Sequence, residues 1–85
     1  MWYVYIIKSL KYRRIYIGLT NDLINRLKMH NNGKVLSTKL YLPWKLIYYE
    51  AYLVKDDAVK RERALKLHAK ALGQLKKRIQ ASLES

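Results

Sequence analysis

Arg26 and His30 stand four residues apart, a few positions after the run Tyr16-Ile17-Gly18. On a helix, that spacing places both side chains on one side, one turn above the other. Arginine is always cationic and its fork matches two phosphate oxygens. An imidazole near pKa 6.5 can trade a proton at neutral pH. Glu62 is out of pattern. At about 100° per residue, Ala58, Val59, Leu65 and Ala69 all fall around it, so it sits mid-stripe on an apolar helix face. A carboxylate facing a dry core costs several kcal/mol unless it is paired or holds a metal. Two readings follow. Glu62 pairs with Lys66 at i+4, a contact worth about 0.3–0.5 kcal/mol. Or it faces a cleft and holds a hard cation such as Mg²⁺, with waters and a substrate phosphate completing the shell.

These residues need elements to hold them. Trp2–Ser9 is apolar on both faces and predicts a central or covered strand, with Tyr3, Tyr5 and Ile7 on one face and Trp2, Val4 and Ile6 on the other. Residues 10–13 make a short basic connection, and residues 14–18 a second strand hairpinned onto the first, placing Tyr16 with Arg14 on one face. Gly18 breaks the strand pattern and admits a conformation or close approach that a Cβ would forbid. The spacing predicts a helix over 22–31, capped by Thr20 or Asn21, with Asp22 in its first turn and Leu23, Ile24 and Leu27 as its apolar stripe. Arg26 and His30 fall at the edge of that stripe. Asn32-Gly33 suits a helix end with positive φ. Residues 34–43 form a loop carrying Lys34, Ser37, Thr38 and Lys39, either phosphate contacts or a solvated connection. Residues 44–53 read as a third strand and 57–68 as a second helix, capped by Asp56 or Asp57. Leu72, Leu75, Ile79 and Leu83 fit an amphipathic helix over 71–83. The order β-β-α-β-α-α predicts an α+β fold: a small three-stranded antiparallel sheet flanked by helices, one domain over 1–85 with its core at 2–68.

Bulk composition narrows the function. Eighteen Lys and Arg against six Asp and Glu leave a net charge of +12. That field favours a polyanionic partner, with DNA phosphates the first expectation. Without cysteine there is no disulfide, thiolate metal site or thiol nucleophile, which fits a cytoplasmic setting. No leader pattern and no spanning apolar run are expected. The basic segment after Ala71 reads as a helix packed on the sheet rather than a membrane-surface element. Eight tyrosines and two tryptophans, with no phenylalanine, either fill the sheet faces or stack on bases.

Tyr3-Val4-Tyr5, then Tyr16-Ile17-Gly18, resemble the two halves of the GIY-YIG nuclease motif. Thr20, Asp22-Leu23, Arg26, His30-Asn31, Gly33, Ser37-Thr38, Pro43-Trp44-Lys45-Leu46, Tyr49-Glu50, Arg61-Glu62 and Leu65-Lys66 also fit it. The match spans roughly residues 3–66 and is nearest to the small stand-alone bacterial members. The resemblance implies metal-dependent cutting of DNA phosphodiesters, with Mg²⁺ or Mn²⁺ and no small-molecule cofactor. It implies catalytic roles for Tyr5, Tyr16, Arg26, His30 and Glu62, with Glu62 the metal ligand. Tyr5, Tyr16 and His30 all remain candidates for the general base. Arg14, Lys34, Thr38, Lys39 and Lys66 are the expected nucleic-acid contacts. Tyr3 stands at the first glycine of the motif name, and Leu19 where some relatives carry Lys. Residues 67–70 lack a glycine turn typical of close relatives, which leaves the joint between the last two helices open. The expected product is a structure-selective endonuclease with a repair or recombination role, acting as a monomer without a membrane. The alternative is a non-catalytic nucleic-acid-binding module on the same fold.

Overall fold

The computed structural model describes residues 1–85. Three antiparallel strands, β1 (Trp2–Ser9), β2 (Ile15–Thr20) and β3 (Trp44–Tyr52), form a sheet in the order β2-β1-β3. β1 is therefore both central and covered, which is why its sequence is apolar on both faces: Val4, Tyr5, Ile6 and Ile7 are all buried. The fold is α+β, as the element order predicts.

Each face has its own core. Val4, Ile6 and Ile17 pack with Ala58 and Leu65 of α2 (Lys55–Leu67) and Leu75 of α3 (Ala69–Arg78). On the opposite face Tyr5, Ile7 and Trp44 pack with Leu23 and Leu27 of α1 (Leu23–Asn31). Ile24 does not join them. It is 74% exposed, because the stripe that meets the sheet is the Leu23–Leu27 row at i, i+4. β3 carries a bulge between its pairings with Ile6 and Ile7. The extra residue, Ile47, lets Ile47 and Tyr48 both pack on the α2–α3 core.

The caps differ from expectation in both helices: α2 starts at Lys55 after Val54 with no side-chain cap, so Asp56 and Asp57 lie in its first turn and do not cap it. In α1, Asp22 is itself the N-cap, its carboxylate accepting from the Asn25 N–H at 3.1 Å, while the Thr20 hydroxyl turns back onto the Asp22 N–H. An acidic side chain at that position satisfies an orphan donor and meets the helix dipole. Gly33 takes the positive φ, +71°, that ends the helix. A 3₁₀ turn, Lys39–Tyr41, interrupts the loop that follows. α2 and α3 do not run together. His68 lies between them in extended conformation, φ −119° and ψ 101°. The last helical segment also breaks at Ile79, with α4 (Gln80–Glu84) beyond it. Neither break is marked by glycine or proline, the residues whose local geometry announces a break in sequence. The Leu72, Leu75, Ile79 face does pack on the sheet as its spacing predicts.

A polar knot joins β3 to α2. The Glu50 carboxylate accepts from the Arg61 guanidinium at 2.9–3.2 Å, from the Tyr48 hydroxyl at 2.6 Å and from the Tyr52 hydroxyl. Burial pushes Glu50 upward, but the Arg61 and tyrosine hydrogen bonds outweigh it and leave its pKa below the ordinary value. A carboxylate pointing at the α2 side of the sheet is thus fully partnered.

Candidate active site

Tyr5 lies on β1, Tyr16 on β2, and Arg26 and His30 on α1, all on the sheet face that α1 covers. The antiparallel register makes this happen. Tyr5 pairs across to Gly18 and Ile7 to Tyr16, so alternation brings Tyr5 and Tyr16 to the same side, ring centroids 6.4 Å apart. A Cβ built at Gly18 would stand 2.3 Å from the Tyr5 Cζ and hydroxyl oxygen. Gly18 is therefore needed for space: the Tyr5 ring lies across it. The expectation of a close approach at Gly18 is met by a side chain.

The Tyr5 hydroxyl is the centre of a hydrogen-bonded line. Arg26 Nε donates to it at 3.4 Å, and it lies 2.7 Å from His30 Nε2. His30 Nδ1 lies 2.8 Å from Thr38 Oγ1, whose hydroxyl donates to the Val35 carbonyl at 3.4 Å. The ends fix the direction of every bond. A guanidinium only donates and a carbonyl only accepts. Thr38 gives its proton to the Val35 carbonyl and so accepts from His30 Nδ1–H; a neutral His30 then has only a lone pair at Nε2, and the Tyr5 proton goes there. This assigns the neutral Nδ1–H tautomer by network logic.

The electrostatics agree. Burial, then the nearby Arg26 charge, lower the His30 pKa from 6.5 to about 4. His30 is fully buried, so from the edge of the α1 apolar stripe it faces inward. Burial likewise raises the Tyr5 pKa above 10, against the opposing hydrogen bond and charge of Arg26. Arg26 is held firmly charged, first by its hydrogen bond to Tyr5. In the resting protein the proton therefore sits on Tyr5, and His30 stands beside it as a vacant acceptor.

A pH prediction follows with its sign. The folded His30 pKa lies below its unfolded value, so the native state resists protonation. Its stabilising contribution is whole above pH 6.5 and is lost as pH falls towards about 4. Urea titrations should show a loss of about 2 kcal/mol between pH 7 and pH 5. Glu50, whose lowered pKa places its own loss below the ordinary carboxylate range, barely contributes in that window. His30→Gln should flatten the difference; an unchanged slope in that variant would remove His30 as its source.

Glu62 comes from α2, which contacts both β1 and β2. Its side chain is only 19% exposed, and its charge is near enough to Tyr5 to contribute to the raised tyrosine pKa. Oε2 accepts from Lys66 Nζ at 3.3 Å, the i+4 partner expected from sequence, and Oε1 has no hydrogen bond within the protein. Lys66 Nζ in turn stands 5.7 Å from the centre of the Tyr16 ring. Glu62 thus makes the Lys66 pair of the first reading, and its charge reaches Tyr5. No cluster of three or more His, Asp or Glu side chains exists in the structure. A metal here would have Glu62 as its single carboxylate, the lone-carboxylate pattern that suits Mg²⁺ when substrate and water complete the shell.

The expected nucleic-acid contacts divide. Lys34, Lys39 and Lys66 are exposed. The Arg14 guanidinium stacks over the Tyr41 ring at 4.2 Å. Thr38 is 1% exposed and its hydroxyl is committed to His30, so it is a histidine partner and out of reach of a phosphate. Sequence reasoning missed this role because a threonine in a polar loop looks the same whether it faces in or out. It also missed two supports. The Asn31 side chain binds the Trp44 backbone at both N–H (2.6 Å) and C=O (2.9 Å), and Trp44 Nε1 donates to the Thr38 carbonyl at 2.9 Å. These bonds tie the end of α1 and the Thr38 loop to β3, which sets His30 against Tyr5.

Known proteins with this pattern are consistent with one another. A family model described as the GIY-YIG catalytic domain matches residues 1–78. A UPF0213 protein of Staphylococcus epidermidis is 38% identical over 69 residues, covering 80% of this chain and 83% of that protein. One from Clostridium perfringens is 43% identical over 67 residues, covering 78% and 71%. The solution NMR structure of a UPF0213 protein from Bacillus halodurans is 32% identical, with a TM-score of 0.53 over 88% of this chain and 82% of that one. A three-stranded antiparallel sheet, paired tyrosines across its two leading strands and a match over most of the sequence agree: the chain belongs to the GIY-YIG family of nuclease domains.

Proposed function

We propose that the protein is a divalent-metal-dependent endonuclease that hydrolyses phosphodiester bonds in DNA, with Tyr5, Tyr16, Arg26, His30 and Glu62 as its catalytic set. The observation that carries this reading is the directed line from Arg26 through Tyr5 to His30 and Thr38, with the Glu62 charge beside it.

Hydrolysis needs a deprotonated water, compensation for charge building on the phosphate, and a place for the proton. Arg26 keeps its outer nitrogens for two phosphate oxygens while its Nε holds Tyr5. Tyr5 takes the proton from water as it passes its own to His30 Nε2. His30 is a weak acceptor at rest, partly because Arg26 is charged and close. A phosphate dianion or diester seated on Arg26 offsets that charge and raises the proton affinity of His30 when substrate is bound. Thr38 holds the Nδ1–H tautomer, so that Nε2 is always the open side. Glu62 Oε1 would hold Mg²⁺ or Mn²⁺, which when bound supplies Lewis-acid stabilisation of the phosphate charge. The structure-selective action and a place in repair or recombination belong to the same reading, supported by the +12 charge and a surface too small for extended base readout.

The deciding experiment is cleavage of supercoiled, single-stranded and branched DNA with Mg²⁺, Mn²⁺ or EDTA. The protein should cut only with metal, and Glu62→Gln should lower the rate by about 10²–10⁴-fold. Cutting that survives EDTA, or a Glu62→Gln variant as fast as wild type, refutes the metal assignment. Tight, salt-sensitive binding with no cutting in any metal would establish the non-catalytic module instead.

A further inference from the structure

The sheet face that carries the site is covered at one end only. Leu23 and Leu27 of α1 pack over Ile7 and Trp44. At the other end lie Tyr3 and Tyr49. Tyr49 is directly opposite Tyr5 in the β1–β3 register, and Tyr3 is two residues along β1, so both share the Tyr5 face. Their rings meet edge to face, centroids 5.8 Å apart. Tyr49 is 53% exposed. Neither ring packs against either core, and neither hydroxyl has a hydrogen bond within the protein. The neighbours of Tyr3 in register are Ala51 and Thr20, short side chains that leave the face open around it. Two large rings thus share the Tyr5 face on its β3 side, while the Tyr5 ring leans over Gly18 of β2, and they have no structural partner beyond each other.

We propose that Tyr3 and Tyr49 form a stacking ledge for an unpaired base of the DNA strand whose phosphate is held at Arg26. The proposal rests on the endonuclease reading for the position of that phosphate. Charge favours a nucleic-acid occupant: the protein is at +12, and an aromatic face in a cationic surround is how single strands are held without base-specific contacts. The opposite-strand position of Tyr49 puts its ring about one strand spacing, roughly 5 Å, from the Tyr5 backbone. The Tyr5 hydroxyl that Arg26 meets lies over β2, so the ledge is about two strand spacings, roughly 10 Å, from that phosphate, and the base it takes belongs to a neighbouring nucleotide of the strand. A paired base in duplex DNA keeps its faces inside the stack and cannot use it. The ledge selects strands that are frayed, flapped or single, and so names the structural feature this nuclease would read.

The test is binding in EDTA, where no cleavage intrudes. Fluorescence anisotropy would follow a labelled short oligothymidine, the same strand with abasic residues, and a duplex of equal length. Tyr49→Ala and Tyr3→Ala should each weaken single-strand binding about tenfold and leave duplex binding within about twofold. Tyr49→Trp should bind the single strand at least as well as wild type, which guards against a loss caused by misfolding. Wild type should bind the abasic strand as weakly as Tyr49→Ala binds the oligothymidine. Equal losses on single strand and duplex, or no loss on either, overturn the ledge. If the binding differences hold but no metal supports cutting, the endonuclease reading fails and the ledge stands. If cutting is intact and the differences are missing, the ledge alone falls.

Discussion

Tyr5→Phe lowers the single-turnover rate of DNA cleavage by about 10²–10⁴-fold, the range set by loss of a general acid–base group. The substitution removes one oxygen and leaves the ring in place across Gly18. That oxygen is hydrogen-bonded to both Arg26 and His30. Without it the water has no acceptor in line with His30, and Arg26 loses the contact that steers its side chain. The fold should persist, because the Tyr5 ring still packs with Ile7 and Trp44. A cost of about 1–3 kcal/mol is expected, since His30 Nε2 is left buried without a partner. Rate and urea stability measured on the same preparation separate the two effects. A Phe variant that retains a tenth or more of the wild-type rate would remove Tyr5 as the water's base and leave Tyr16 to be tested in its place.

The meeting of Tyr5, Tyr16, Arg26 and His30 was legible because residue type and strand alternation carry it. Tyr5 and Tyr16 could be put on one face by counting in twos, and Arg26 with His30 on one side of a helix by counting in fours. Glu62 announced itself by standing in an apolar stripe. What stayed hidden depends on which way a polar side chain turns. His30 is four residues from Arg26, but its burial among the Tyr5 and Tyr16 rings and the Thr38 hydroxyl is tertiary, and no local pattern encodes it. Glu50 shows the same limit. As an acid between Tyr48, Tyr49, Ala51 and Tyr52 it could have faced solvent on a two-sided strand. Only the pairing of Val4 with Glu50 puts it on the α2 side, where Arg61 meets it. The helix breaks at His68 and Ile79 were illegible for another reason. The residues there are ordinary helix occupants, with no glycine or proline to mark a break.

Gly18→Ala should be as damaging to cleavage as Tyr5→Phe, although Gly18 touches no substrate. The new Cβ would stand 2.3 Å from Cζ and from the hydroxyl oxygen of Tyr5 and 2.7 Å from Cε1, far inside contact distance. Backbone conformation is not the obstacle, since Gly33 is the chain's positive-φ glycine and Gly18 is not. The ring must therefore move, and it has little freedom to do so. Tyr5 is 1% exposed, its hydroxyl is tied to His30 and Arg26, and its ring lies against Ile7 and Trp44. Overpacking of this kind costs about 1–3 kcal/mol, and the displaced hydroxyl breaks the line to His30. A double-mutant cycle isolates the cause. In a Tyr5→Ala background there is no ring to strike, so Gly18→Ala should then cost about 0.5 kcal/mol or less, leaving a coupling of about 1–2 kcal/mol. If the penalty is the same with and without the Tyr5 ring, Gly18 serves the strand itself and the space argument is wrong. If it vanishes with the ring, the glycine of the second half-motif exists to seat the tyrosine of the first.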